Sequence, residues 1–562
     1  MLLFLLLICV QTEAYTEPIN IVTNNPICTD MSKKYINEYP HITTPELFII
    51  ASVCEGIVHP MDSGLGGGFQ AVIHRDGTTN SWYINSRERA GMHHNFPSQP
   101  GKTSKHIGVP SMLRGYAYLY NNICNFGYKD GPALSWRQLF RENIKLAYRG
   151  FAMSKTLINV INVINLAKSP WRYNVTSQQL TSPILGTWID KISHENPKNL
   201  SFYHNNTQDN DNLVDELREI GSSLRRSDIS NYRVNVKSAN KITCLDYTIY
   251  TTKVPGSGVL QLFGCKIIEY AIKNYNYVNW PSAQRFIFNI KTLQYIQALQ
   301  PHIKYLTHQA KVTNSKPLSD LLYRDSAYIA QFLYKYNTPI SLYPPMQMGK
   351  TKLHENQITL AQKSDERGTS NICIKDRITS FCATSTINWG FGSCIASRHF
   401  GFFYNNQLSD FTYKNNLSFN RPMVGSQPLS SISPVIFTKT RTNKFEFAMG
   451  AAGGRKIIPS IFTMMSSFIY EYERNKIDSK IQVYNCNRDQ FISRCVFHIK
   501  PYEYNSYMFL ECEDSLHPIL RQTLLNYRAL IKYSVEAGYS SVTTLTKTHG
   551  CFDPRRGGKA LK

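Results

Sequence analysis

Between Glu366 and Asn371 the chain reads Glu366-Arg-Gly-Thr-Ser-Asn371, with a glycine followed by a hydroxyl amino acid at its centre. That pair can cut itself. Gly368, lacking a Cβ, tolerates a strained peptide, the Thr369 hydroxyl can attack the Gly368 carbonyl, and the resulting ester hydrolyses. The freed α-amine, with an ordinary pKa of about 8, can then act as base for the hydroxyl of the same residue. One residue would supply both nucleophile and base. Taken alone, the hexapeptide is equally an ordinary turn leading into a strand, so the surrounding motifs must decide.

Downstream come Thr384-Ser-Thr-Ile-Asn388, Asn405-Asn-Gln-Leu-Ser-Asp-Phe411, Pro428-Leu-Ser-Ser-Ile-Ser-Pro434 and Gly450-Ala-Ala-Gly-Gly-Arg455. Upstream lie Asp62-Ser-Gly-Leu-Gly-Gly-Gly-Phe69 and Asn85-Ser-Arg-Glu-Arg-Ala90, and Asp553-Pro-Arg-Arg-Gly557 stands near the end. Each is unspecific by itself. In this order and spacing around a Gly-Thr junction, the set resembles the gamma-glutamyltransferases, weakly between 155 and 350 and strongly elsewhere. The resemblance implies an α/β fold, the four-layer αββα sandwich of the N-terminal-nucleophile hydrolases. Behind a signal peptide read from the N-terminal residues over 1–14, it also implies two subunits from one precursor, 15–368 and 369–562, forming one intertwined unit. The implied activity passes the gamma-glutamyl group of glutathione, or of another gamma-glutamyl compound, to an amino acid, a dipeptide or water, without cofactor or metal.

By position in the matching motifs, Thr369 would be the nucleophile, Thr386 would orient it, and Gly453 and Gly454 would offer backbone N–H groups to the oxyanion. Arg87 would pair the donor's α-carboxylate, where a guanidinium offers two parallel donors, with Ser430 and Ser431 adding hydroxyls. Asn388, Gln407 and Asp410 would take the α-ammonium, Asp410 providing the formal charge. Cys28 and Cys54 fall where family members place a disulfide. The pattern breaks at Asn371, where His is usual, at Ser409, where a second acid is common, and at Gly91, which replaces a proline. Residues 254–258 keep a Pro/Ser/Gly-rich turn only in part. Asn371 adjoins the chemistry and motivates a second reading, a secreted binding or decoy protein that keeps the pocket and has lost catalysis.

Positioning these residues requires regular elements. Apolar spacing predicts helices over 44–56, 110–122 and 135–150, the last with Ser135 as N-cap and Gly150 as terminator, and a helical zone over 258–300. Helices are also predicted over 456–474 and 516–533. Alternation predicts strands over 69–74 and 82–85, and after the junction over 369–375, 380–385, 434–439 and 445–449. Strands flanked by helices imply stacked α and β layers. The glycine run 64–68 lacks the Gly-Lys-Ser/Thr ending of a phosphate loop and precedes a strand, so close backbone packing is expected there. Residues 171–240, rich in Asn, Ser, Asp and Lys, read as a loosely organised surface region, and 317–366 as a long exposed connection.

The opening apolar run of 1–10, followed by small residues, has the form of a secretory signal and is too short to span a bilayer. Twelve cysteines after it form an even set with no zinc-type spacing, which points to disulfides in an oxidising compartment. Sequons at Asn174, Asn199, Asn205 and Asn416 agree with export. A net charge of +23 would suit nucleic acid, but the basic residues are scattered and no nucleic-acid module appears. The charge is expected to give a solvated surface with at most weak attraction to anionic membranes or glycans.

Overall fold

The computed structural model describes residues 19–312, 321–335, 347–348, 351–352, 368–413, 418–477, 495–501, 506–513, 517–527, 531–534, 540–547, 550–552 and 559–560. The expected signal segment, the Asn416 sequon and the 553–557 motif lie outside them. The strands of the two large sheets are, in chain order, β1 (Asn20–Thr23), β2 (Gly68–Arg75), β3 (Ser81–Ser86), β4 (Asn235–Ser238), β5 (Asn240–Cys244), β6 (Tyr247–Thr251), β7 (Gly368–Lys375), β8 (Thr379–Asn388), β9 (Val435–Lys439), β10 (Phe445–Ala452), β11 (Ser541–Thr546), β12 (Gly550–Phe552) and β13 (Lys559–Ala560). One sheet runs β13-β1-β7-β8-β2-β3-β4 and the other β12-β11-β10-β9-β6-β5. Sequence from before and after the Gly368–Thr369 junction is therefore interleaved, with β7 and β8 lying between β1 and β2.

The sheets pack face to face through Val72, Tyr83, Tyr250, Cys373, Cys382, Ile436, Ala448 and Leu545. Helices cover both outer faces. Over the first sheet lie α1 (Pro26–Glu38), α2 (Thr44–Val58), α3 (Met112–Asn121) and α4 (Arg141–Arg149), packed on Phe69, Ile84, Ile372, Ile374 and Phe381. Farther along the chain, α5 (Pro183–Ser193) and α6 (Gln208–Glu219) join the same core. Over the second sheet lie α7 (Gly258–Tyr275), α8 (Ser282–Leu299), α9 (Ile303–Val312), α10 (Ser326–Lys335) and α11 (Ile457–Ile477), packed on Val435, Phe437, Phe447 and Met449. Four layers, αββα, result, as the resemblance implies. Because β7 is covered on both faces, all of its residues are buried and its sequence does not alternate.

Local chemistry accounts for the best-defined elements. α2 begins with a capping box in which Thr43 N donates to Glu46 Oε2 (2.9 Å) and Glu46 N donates to Thr43 Oγ1 (3.4 Å), and every residue of the helix is buried. Disulfides Cys28–Cys54, Cys244–Cys265 and Cys373–Cys382 tie α1 to α2, β5 to α7, and β7 to β8. No helix among the described residues is long and apolar enough to cross a membrane.

Four expectations are corrected. Residues 171–240 are not loose: Leu185, Trp188 and Ile189 of α5 and Leu213 and Leu217 of α6 enter the main core, their apolar spacing diluted in the sequence by polar neighbours. Within the expected connection, α10 buries Ile329, Ala330 and Leu333. The helix expected over 135–150 is a 3-10 turn, Arg137–Phe140, followed by α4, which Gly150 ends at φ +79°. The helix expected over 516–533 spans Pro518–Asn526 and gives way to a strand, Ile531–Ser534.

Candidate active site

Sheet register brings the ends of four adjacent strands to one edge. Gly368 lies opposite Asn388 and Thr369 opposite Thr386, with Ile387 as the extra residue of a bulge. Thr386 lies in turn opposite Gly68, and Phe69 opposite Ser86, so that Arg87 leaves β3 at the same edge. The glycine run makes this approach possible: a Cβ on Gly67 would sit 2.1 Å from the Thr386 carbonyl oxygen, and one on Gly68 2.3 Å from that of Ser86.

Thr369 is only 5 % exposed. Side chains alternate along a strand, so Thr369 shares a face with Asn371 and Cys373, and Cys373 belongs to the core between the sheets. Thr386 Oγ1 donates to the Gly368 carbonyl and accepts from Asn388 N at 2.8 Å. A hydroxyl on that carbonyl can both polarise it for attack and fix the geometry of the residue that follows.

Asn371 is fully buried beneath this point. Its backbone N–H donates to Asn24 Oδ1 (2.6 Å). With the amide oxygen turned toward Thr543 Oγ1 (2.5 Å) and Ile372 N, its nitrogen donates to Ala383 O (2.9 Å) and Thr384 Oγ1 (2.7 Å). A Cβ on Gly450 of β10 would lie 2.1 Å from this side chain, so the two sheets touch here. Beyond that contact β10 ends at Gly453 (φ +123°) and Gly454 (φ +56°), conformations suited to glycine, before α11 starts. Successive N–H groups in such a turn can form an anion-binding concavity.

A carboxylate, that of Asp410, lies beside Asn388. Gln407 Nε2 donates to Asp410 Oδ2 (2.9 Å), and the Asn388 side chain also hydrogen-bonds Asp410. Burial raises the Asp410 carboxyl above the usual range, an effect that the Arg87 guanidinium opposes. Asn388 holds a left-handed backbone (φ +80°), which asparagine tolerates better than most residues. Ser409, standing where a second acid is common, donates instead to the Gly101 carbonyl (2.5 Å).

Arg87 is 1 % exposed, and its Nε and Nη1 have no hydrogen-bond partner among the described residues. Glu88 Oε2 lies 3.8 Å from Nε. Burial pushes the Glu88 carboxyl up to about 7, again against the pull of Arg87. A buried guanidinium left so poorly satisfied is what a carboxylate-binding pocket presents before its ligand arrives. Ser430 and Ser431 sit on the neighbouring loop: Ser430 Oγ accepts from Ile432 N (3.2 Å), and Ser431 Oγ accepts from Gln300 Nε2 (2.8 Å).

Sequence reasoning missed the residues that join these parts. Asn420 Nδ2 donates to the Asp410 carbonyl (2.7 Å), while its Oδ1 accepts from Leu429 N (2.8 Å) and Lys304 Nζ (3.0 Å). Gln427 Nε2 donates to the Arg87 carbonyl (2.7 Å), and Gln427 O accepts from Lys304 Nζ (2.7 Å). Asn, Gln and Lys are too common in this chain for any of the three to stand out. Thr386, Asn388, Gln407 and Asp410 thus form one hydrogen-bonded run beside Thr369, Arg87 is tied to it through Gln427, Lys304 and Asn420, Ser430 and Ser431 follow Leu429, which Asn420 holds, and Gly453 and Gly454 continue from β10, whose Gly450 packs against Asn371. Among the described residues no group of acidic, His and Cys side chains is arranged to hold a metal.

A family model described as gamma-glutamyltranspeptidase matches residues 48–562. Glutathione hydrolase 3 of Arabidopsis thaliana is 24% identical over 496 residues, covering 83% of this chain and 72% of that protein. Glutathione hydrolase 2 of the same plant is 29% identical over 443 residues, covering 73% and 70%. A solved cephalosporin acylase from Bacillus halodurans shares the fold with a TM-score of 0.72 at 14% identity, covering 97% of this chain and 96% of that one.

Proposed function

The chain belongs to the gamma-glutamyltranspeptidase family, and from that premise we propose that it is a secreted gamma-glutamyltransferase and glutathione hydrolase, matured by cleavage of its own Gly368–Thr369 bond. In the precursor, the Thr369 hydroxyl attacks the Gly368 carbonyl while Thr386 holds the carbonyl oxygen. Cleavage leaves Thr369 with a free α-amine as its own base. In turnover the same hydroxyl takes the gamma-glutamyl group from glutathione or a related donor, releasing the donor's amine, and the acyl-threonine passes it to an amino acid, a dipeptide or water. The backbone N–H groups of Gly453 and Gly454 would stabilise the oxyanion of each tetrahedral intermediate. Arg87, Ser430 and Ser431 would hold the donor's α-carboxylate, and Asn388, Gln407 and Asp410 its α-ammonium.

One observation carries this reading. A buried Arg87 with two nitrogens unsatisfied among the described residues and the Asp410 carboxylate held by Asn388 and Gln407 flank the strand ends that bear Thr369 and Thr386. A zwitterionic amino-acid end needs both signs at once. The Asn371 amide is hydrogen-bonded to strands of both sheets, and the decoy reading, in which catalysis is lost, is decided by the same gel and turnover assay.

The test is a denaturing gel of the purified secreted protein with N-terminal sequencing. Two chains, the smaller beginning at Thr369, together with release of amine from a gamma-glutamyl anilide, are expected. Thr369→Ala should remain one chain and release none. A wild-type protein that stays in one piece, or a Thr369→Ala variant that still turns over, would sink the proposal.

A further inference from the structure

We propose that Lys304 is a specificity-determining residue of this pocket, its ammonium recognising the donor's α-carboxylate together with Arg87. The inference rests on the donor-site reading above and adds a second cation to it, contributed by α9.

Three observations place Lys304 there. First, it and Gln300 are four residues apart on one continuous helical stretch, hence on one face, and Gln300 already touches Ser431 Oγ. Second, Lys304 Nζ is bonded to Gln427 O and Asn420 Oδ1, both neutral acceptors, which occupy two of its three donors. Those two residues are the ones that bond the Arg87 and Asp410 backbones. Third, the ammonium lies 5.5 Å from the centre of the Phe411 ring, beside Asp410, and within electrostatic reach of Arg87.

Arg87, with Nε and Nη1 lacking a hydrogen-bond partner among the described residues, and Lys304, bonded to two neutral oxygens, lie within electrostatic reach of each other, and a carboxylate held by both would relieve their repulsion. Burial, and then Arg87, push the Lys304 ammonium down to about 7. A carboxylate bound beside it would restore the charge, so ligand binding takes up a proton. Affinity for the carboxylate should then fall as pH rises through about 7. Arg87, Glu88, Asp410 and the α-amine that cleavage would give Thr369 also face this pocket, so the assignment to Lys304 is read from its own variants.

Calorimetric binding of L-glutamate and of its α-carboxamide, between pH 6 and 8, tests this with wild-type, Lys304→Arg and Lys304→Met proteins whose folding is checked by thermal melting. Expected for Lys304→Met is a roughly tenfold to hundredfold loss of L-glutamate affinity, unchanged affinity for the carboxamide, and a pH response shallower than wild type by the part that Lys304 contributes. Lys304→Arg, which stays charged, should bind L-glutamate tightly at both ends of the range. Equal loss on both ligands would reduce Lys304 to a tether for the loop and overturn the assignment, as would no loss at all. A wild-type protein that binds neither ligand overturns it together with the donor site. One that binds L-glutamate yet releases no amine from a gamma-glutamyl anilide leaves Lys304 standing and sinks only the transferase reading.

Discussion

At Asn371 a single amide is bonded to Ala383, Thr384 and Thr543, on strands of both sheets. Asn371→Ala would leave those groups without their partner inside the core, at about 1–3 kcal/mol for each one orphaned. The expected result is a clear fall in melting temperature together with slowed appearance of the smaller chain, and an unchanged melting curve would refute it. Asp410 acts differently because it faces the pocket. Asp410→Asn should raise the donor KM roughly tenfold to hundredfold, the scale of a charge-assisted hydrogen bond, and leave kcat closer to wild type. Since burial raises the Asp410 carboxyl, its charge is lost earlier than usual as pH falls. Donor KM should therefore climb on the acid side in wild type and stay level there in Asp410→Asn, a contrast read from steady-state profiles. Every residue of these motifs was nameable from sequence because the motifs are contiguous. Asn420, Gln427 and Lys304 were not, since their roles depend on contacts between segments more than a hundred residues apart (Lys304 with Asn420 and Gln427) or across the sheet edge (Gln427 with Arg87).

At the scale of elements, the glycine run before β2 sets how closely β8 can approach it. Gly67→Ala would drive a methyl group into the Thr386 carbonyl, where backbone cannot step aside. A loss of about 1–3 kcal/mol is expected, and because Thr386 is displaced, processing should fail before the fold does. A gel showing normal cleavage in this variant would refute the coupling. The strands on either side of the junction were legible from short apolar runs between turns, and α2 from its apolar spacing over 44–56. α5 and α6 escaped notice for a physical reason: only one stripe of each meets the core, and the exposed remainder carries the Asn, Asp and Lys that made 171–240 read as loose.

At the scale of the whole molecule, the sheet order puts β7 and β8 between β1 and β2. A cut between Gly368 and Thr369, at the first bond of β7, removes one covalent bond and leaves the pairing of residues 369–375 with β8 and of residues 373–375 with β1 in place. After cleavage, the two chains should elute as one species in gel filtration at neutral pH and separate only in denaturant. Separate elution of the smaller chain would contradict the interleaved sheet. Stacked α and β layers followed from the sequence pattern and the αββα order from the family resemblance, but which strand neighbours which did not, since pairing partners such as Val22 and Cys373 are distant along the chain. The interleaving also decides heredity among molecules. Under the proposed cleavage, each smaller chain should stay with the larger chain it was translated with, so that two differently crippled precursors made in one cell would not trade halves to rebuild a working pair.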